Sequence, residues 1–288
     1  MRAAVMIAVL GTCVWSFAQD KASSQNTPAG QTQSGQAQAP AAPAGKRPPQ
    51  AKTQPEFDDY KAAMALTDGA SMEKAANDFA AKYPDSELRV MLYKAAMQRY
   101  QQVNNGDKMM EMAQKALSYD PDDPEALIAV SQVLAERTRD TDLDKDQRLA
   151  EAKKNAERAL ETIDTDVPTS GYPPEQLAAY KGFLRSNAYG VLGTLASNAK
   201  NWPEAETDLR KSIDAFPQQL DSVAVLRLAV ALDMQNKIPE ALKYANQAVD
   251  LTKDHADSPA GKAARAEQDR LTKLNSGTAP GQSTPAKN

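Results

Sequence analysis

The sequence is short of the residues that carry out most protein chemistry: among its 288 residues there is one cysteine and one histidine. Cys13 lies in an N-terminal stretch with the marks of an export signal. Arg2 stands near the start, the apolar run AAVMIAVL covers 3–10, and Ser16-Phe17-Ala18 offers small residues where a signal peptidase reads. Cleavage after Ala18 leaves a mature chain with no thiol, and so no disulfide, cysteine nucleophile or thiolate metal site. LGTC at 10–13 is a poor lipidation signal because of Thr12 and the short run before it, which argues against lipidation of Cys13. His255 stands alone in a polar stretch, with no second histidine to share a metal and no strand-turn-helix serine to activate. The expectation is a non-enzymatic chain without metal or cofactor.

Long apolar runs are missing as well. Nothing in the mature chain approaches the roughly 20 apolar residues that a membrane helix needs. There is no cationic excess either: 34 Lys and Arg stand against 38 Asp and Glu, a net charge of −4, which excludes the basic face of a nucleic-acid binder. From 19 to 56 the chain is rich in Pro, Gln and Ala and has no aromatic residue, Leu, Ile, Val or Met. Such a segment has too little apolar surface to offset its ordering entropy, so 19–56 is expected to be a disordered linker, and 276–288 a disordered tail. The expected location is exported, periplasmic or secreted, and associated with a bacterial envelope.

What is present, from 57 to 275, is helical periodicity with a repeat. NWPEAETDLRKSI at 201–213 and KIPEALKYANQAV at 237–249 both set Pro-Glu-Ala at a helix start, with Pro203 and Pro239 at an offset of 36. The same offset relates Leu192 to Leu228, Gly193 to Ala229, Ala205 to Ala241 and Ile213 to Val249. The unit is a pair of helices. Gly193 and Ala205 let the two approach, while Leu192, Trp202 and Ile213 fill the space beside them. One such pair leaves an apolar face that only a neighbouring pair can cover.

These residues resemble the tetratricopeptide (TPR) repeat, a helical hairpin of about 34 residues. Tyr189, Leu192-Gly193, Ala205 and Pro217 fall on its characteristic positions, as do Tyr93, Tyr100, Ala113, Ala116 and Pro121 one stretch earlier. Ala196, Leu209 and Met109 depart from the pattern. The resemblance implies an all-α, right-handed α-solenoid of about five hairpins closed by a C-terminal capping helix. Helices are expected at 55–67 and 71–83, 87–103 and 107–119, 123–138 and 146–163, 174–199 and 203–215, 221–235 and 239–252, with the cap at 259–274. Tyr93, Tyr100, Tyr189 and Trp202 read as core, and Met109, Met110 and Met112 as hairpin filling.

The resemblance also implies a protein or peptide partner in a concave groove lined by the first helix of each hairpin. Its positions are Met91, Lys94, Gln98 and Gln101, then Glu125, Ile128 and Gln132, then Asn187, Thr194 and Asn198, and finally Val223, Leu226 and Val230. The last three form an apolar strip that the capping helix could instead cover. The family's carboxylate clamp for a chaperone tail is not in register. The insertion TRDTDLDKDQ offers a second reading, a ligand- or calcium-regulated module. Asp140, Asp142, Asp144, Asp146 and Glu151 have part of an EF-hand spacing, but Lys145 stands where glycine is needed and Gln147 where an apolar residue is needed, so a solvated acidic loop is preferred.

Overall fold

The computed structural model describes residues 45–170 and 172–277. The expected signal peptide, the possible lipidation of Cys13, residues 19–44 of the linker and residues 278–288 of the tail lie outside the described residues. Eleven α-helices are described: α1 Gln54–Met64, α2 Gly69–Lys82, α3 Leu88–Gln102, α4 Gly106–Tyr119, α5 Pro124–Arg137, α6 Lys145–Asp166, α7 Pro174–Asn198, α8 Trp202–Ala215, α9 Ser222–Asp233, α10 Ile238–Leu251 and α11 Pro259–Asn275.

Local chemistry sets the boundaries. Thr53, Asp68, Asn105, Asp123, Asp221 and Ser258 each cap a helix start by accepting a backbone N–H. Prolines occupy the first turn of α1, α5, α7, α8, α10 and α11, where no amide hydrogen is required. Three hairpins turn in the same way. Asn104, Lys200 and Asn236 take left-handed φ of 56°, 57° and 60°. The next N–H then returns to a carbonyl five residues back: Asn105 to Tyr100 (2.9 Å), Asn201 to Ala196 (2.9 Å) and Lys237 to Leu232 (3.0 Å). The sequence offset of 36 thus reappears as one main-chain conformation.

Each even-numbered helix up to α10 packs on the odd-numbered helix before it and after it, whereas α1 meets α3, α5 meets α7 and α7 meets α9 directly. The hairpins therefore stack as a solenoid with the odd helices through α9 on the inside. Small residues permit the close approaches: Ala205, Ala241 and Ala245 are fully buried, and a β-carbon on Gly193 would lie 2.6 Å from Leu209 Cγ. Tyr93, Tyr100, Met109 and Met112 are buried in the cluster that joins α2 to α5, and Trp202 and Met110 are half-buried. α11 closes the stack against α10 and α9 with Leu271 and Ala264 inward and Lys262, Asp269 and Arg270 outward.

The linker boundary at 56 needs correction. Residues 45–53 lie extended against the hairpins, and α1 begins inside the stretch expected to be free. Thr53 and Glu56 explain that start. The Glu56 amide donates to Thr53 Oγ1 (3.3 Å), and the buried Glu56 carboxylate takes the Lys52 amide (2.7 Å). Upstream, Lys46 reaches Asp120 (2.6 Å) and Asp166 (3.4 Å), and Arg47 pairs with Glu87. Charge and main-chain bonds hold this segment, with Ala51 packed against the core cluster of the first hairpins.

Candidate functional site

The inner face divides into two parts of different character. Across α3, α5 and α7 it is a closed polar network. The Lys94 ammonium lies 2.8 Å from Asp123 and 3.0 Å from Glu125. Glu125 also accepts from Gln98 Nε2 (2.6 Å) and the Tyr180 hydroxyl (3.0 Å), while the second oxygen of Asp123 caps α5 at the Ala126 amide (2.9 Å). Burial alone would lower the Lys94 pKa, but the two carboxylates reverse this and hold it well above the ordinary lysine value. Burial likewise pushes the Tyr180 phenol well up, and the Glu125 charge adds to it. Lys94 and Glu125 are thus engaged with each other. Met91 is half-buried beside this network and Gln101 is exposed at the end of α3.

Across α5, α7 and α9 the face carries a small groove of about 30 Å³, walled by Gln132 and Glu136, by Ser186, Asn187 and Gly190, and by Asp221 and Arg227. The expected Gln132 and Asn187 meet here. Asn198 is exposed at the end of α7.

Two expected groove residues are buried, although Thr194 still lines the floor of this groove. Ile128 is 5% exposed and packs in a cluster with Ile163, Leu184 and Ala188, because α7 leans directly on α5. Thr194 is 6% exposed, and its hydroxyl turns back to the Gly190 carbonyl (2.8 Å). The apolar strip is half covered. Leu226 packs against the cluster of Val225, Ala248 and Ala264, the last from α11, and Val223 and Val230 are half-buried.

Sequence reasoning missed Tyr180, Asp221 and Arg227. Tyr180 lies in the first turns of α7, ahead of the repeat unit counted back from Pro217, so the repeat register assigns it no place. Asp221 caps α9 through the Val223 amide (2.9 Å), a signal legible as an acidic residue before an apolar run.

The acidic insertion is not a cage of converging oxygens. Asp140 bonds to Lys145 (2.8 Å), Asp142 accepts from the Arg139 amide (2.9 Å), and Asp144 faces Arg148 at 4.0 Å. Among the described residues no three His, Cys, Asp or Glu side chains gather as a metal site would require. His255 is exposed in a short 3-10 turn, Lys253–His255.

On the outer side, α6 and α8 flank a cleft floored by Tyr189 and Leu192 of α7. Lys153 crosses it to Glu204 (3.1 Å), and Lys211 sits over the Tyr189 ring at 5.1 Å. Burial raises the Asp208 carboxyl pKa, an effect that nearby Lys211 opposes. No described helix is long and apolar enough to cross a membrane.

No protein family and no curated protein matches this sequence. Among solved structures the chain is similar to an assembly chaperone of RpL4 (Acl4, residues 1–338), at 14% identity and a TM-score of 0.38, over 77% of this chain and 98% of that one. It is also similar to PilW, a widely conserved type IV pilus biogenesis factor, at 18% identity and a TM-score of 0.38, over 74% of this chain and 99% of that one. Similarity at this level supports no conclusion about function.

Proposed function

We propose that this chain is a non-enzymatic scaffold of the TPR type that holds a protein partner by an extended segment laid in the groove between α5, α7 and α9. The observation that supports it most is the make-up of that groove. Gln132 and Asn187 place side-chain amides, which donate and accept alike, beside the charged Asp221 and Arg227. One Asn187 N–H is held by the Phe183 carbonyl (3.0 Å), and the remaining amide groups of Asn187 and Gln132 can bond to the backbone of an extended peptide. The export signal expected at 1–18 supports an encounter outside the cytoplasm, in the periplasm or at the envelope.

The test is photo-crosslinking. A photoreactive residue at Asn187 should capture one dominant protein from the native compartment, and the same residue at Asn246, exposed on the outer helix α10, should not. Leu226→Glu should abolish that capture with little change in melting temperature if the strip on α9 extends the groove. Equal capture from both positions, or none from Asn187, would refute the reading, and a large fall in melting temperature for Leu226→Glu would place the strip in the core.

A further inference from the structure

The links between successive hairpins form a line of their own. Glu87 immediately precedes α3, Asp120 follows α4, and Thr165 and Asp166 end α6. These points belong to the links after the first, second and third hairpins. Residues 45–50 visit them in reverse order. Beyond Gly45, at the third link, the Lys46 amide donates to the Thr165 carbonyl (2.8 Å). Its ammonium spans the third and second links, at 3.4 Å from Asp166 and 2.6 Å from Asp120. At the first link Arg47 pairs with Glu87, and the Gln50 amide reaches the same carboxylate (3.3 Å).

Main-chain bonds at both ends with cationic side chains between them are how proteins grip an extended peptide. Pro48 and Pro49 favour the extended form before docking and so reduce its entropic cost. Gly45 fits where a larger residue would not, since a β-carbon there would lie 2.6 Å from Thr169 Cγ2 and 2.9 Å from the Val167 carbonyl.

From this geometry we propose that the links of the first three hairpins form an acidic docking site for an extended basic, proline-containing peptide, and that residues 45–50 of this same chain are its occupant. The docking surface lies outside the inner groove and is independent of the partner proposed for it. Two consequences follow from the placement. Residue 45, where the described part of the chain begins, lies at the third hairpin and not beside α1. The strap also ties together three hairpins that otherwise contact only their neighbours.

Hydrogen exchange on the mature chain tests this. At low ionic strength the amides of Lys46 and Gln50 should exchange at least about tenfold more slowly than in an unstructured peptide. The double variant Asp120→Asn with Asp166→Asn should lose that protection while α3 to α6 keep theirs. Gly45→Val, which obstructs the passage without touching an acidic residue, should do the same, and it decides the matter if the double variant unfolds. Salt of about 1 M, where the Debye length falls to about 3 Å, should weaken the protection. Unprotected amides in the parent chain, or protection unchanged in both variants, would overturn the proposal. Protection that disappears on dilution would mean that a second copy supplies the peptide, which would also overturn it.

Discussion

Replacing Gly193 by alanine should destabilise the fourth hairpin even though alanine is the better helix former. The added β-carbon would lie 2.6 Å from Leu209 Cγ, 2.8 Å from Leu209 Cδ2 and 3.2 Å from the Leu209 amide nitrogen. Carbon atoms prefer about 3.5–4.0 Å, so the side chain of Leu209 must retreat by close to 1 Å. It is fully buried, and the nearby amide means that α8 itself must shift by a few tenths of an ångström. Overpacking of this kind costs about 1–3 kcal/mol, from which the change from glycine to alanine in a helix returns about 1 kcal/mol, so a net loss of about 1 kcal/mol is expected. Gly190 provides the control on the same helix. A β-carbon there meets only Ser212 Oγ, at 3.3 Å, so Gly190→Ala should be neutral or stabilising by up to about 1 kcal/mol. Urea denaturation should separate the two variants by about 1–2 kcal/mol, with Gly193→Ala the less stable. Hydrogen exchange should show loosening in α7 to α10 before α1 and α2, since each hairpin leans on its neighbours. Equal stability of the two variants, or protection lost evenly along the chain, would refute the packing argument.

Two further perturbations probe the network and the turns. Lys94→Met leaves Asp123 and Glu125 crowded without their cation and should cost about 3–5 kcal/mol by urea denaturation. Because folding raises the Lys94 pKa, its contribution is fully present below the ordinary value of 10.5 and is lost as pH climbs from there through the folded value. The difference between parent and variant should therefore stay level from about pH 7 to about pH 9 and shrink in more alkaline solution. Lys200→Asn should raise stability by up to about 1 kcal/mol, since asparagine tolerates the left-handed backbone that lysine resists, and Asn236→Lys should lose a similar amount; thermal denaturation reads both.

The parts of this fold that could be read from the sequence are those specified locally. Prolines in first turns, caps and the offset of 36 place α7 at 174–199 and the capping helix at 259–274, against Pro174–Asn198 and Pro259–Asn275 in the structure. Residues 45–53 escaped because composition tests for apolar burial, and this segment is held mostly by ion pairs and backbone bonds, with only Ala51 packed on the core. The inner face was legible position by position but not in its outcome. Gln132 and Asn187 reach an open groove, whereas Ile128, assigned by the same register, is buried because α7 comes close to α5. How close two helices come depends on every side chain between them, and no single position in the repeat records it.

The shared turn at Asn104, Lys200 and Asn236 bears on how a chain like this can change length. Residues 201–236 begin just after one such turn and end within the next, so both ends of this stretch meet the same backbone geometry. It behaves as a cassette. A second copy spliced after the first would enter and leave the helix pair through peptide conformations already in use, without a new strained junction. Deleting the cassette would join Lys200 to Lys237 through that same bend. Insertions or losses of a different size inside 201–236 would break the turn or rotate the following helices off their partners, and the extra length this chain does carry lies outside it, in the loop before α6 and the link before α7.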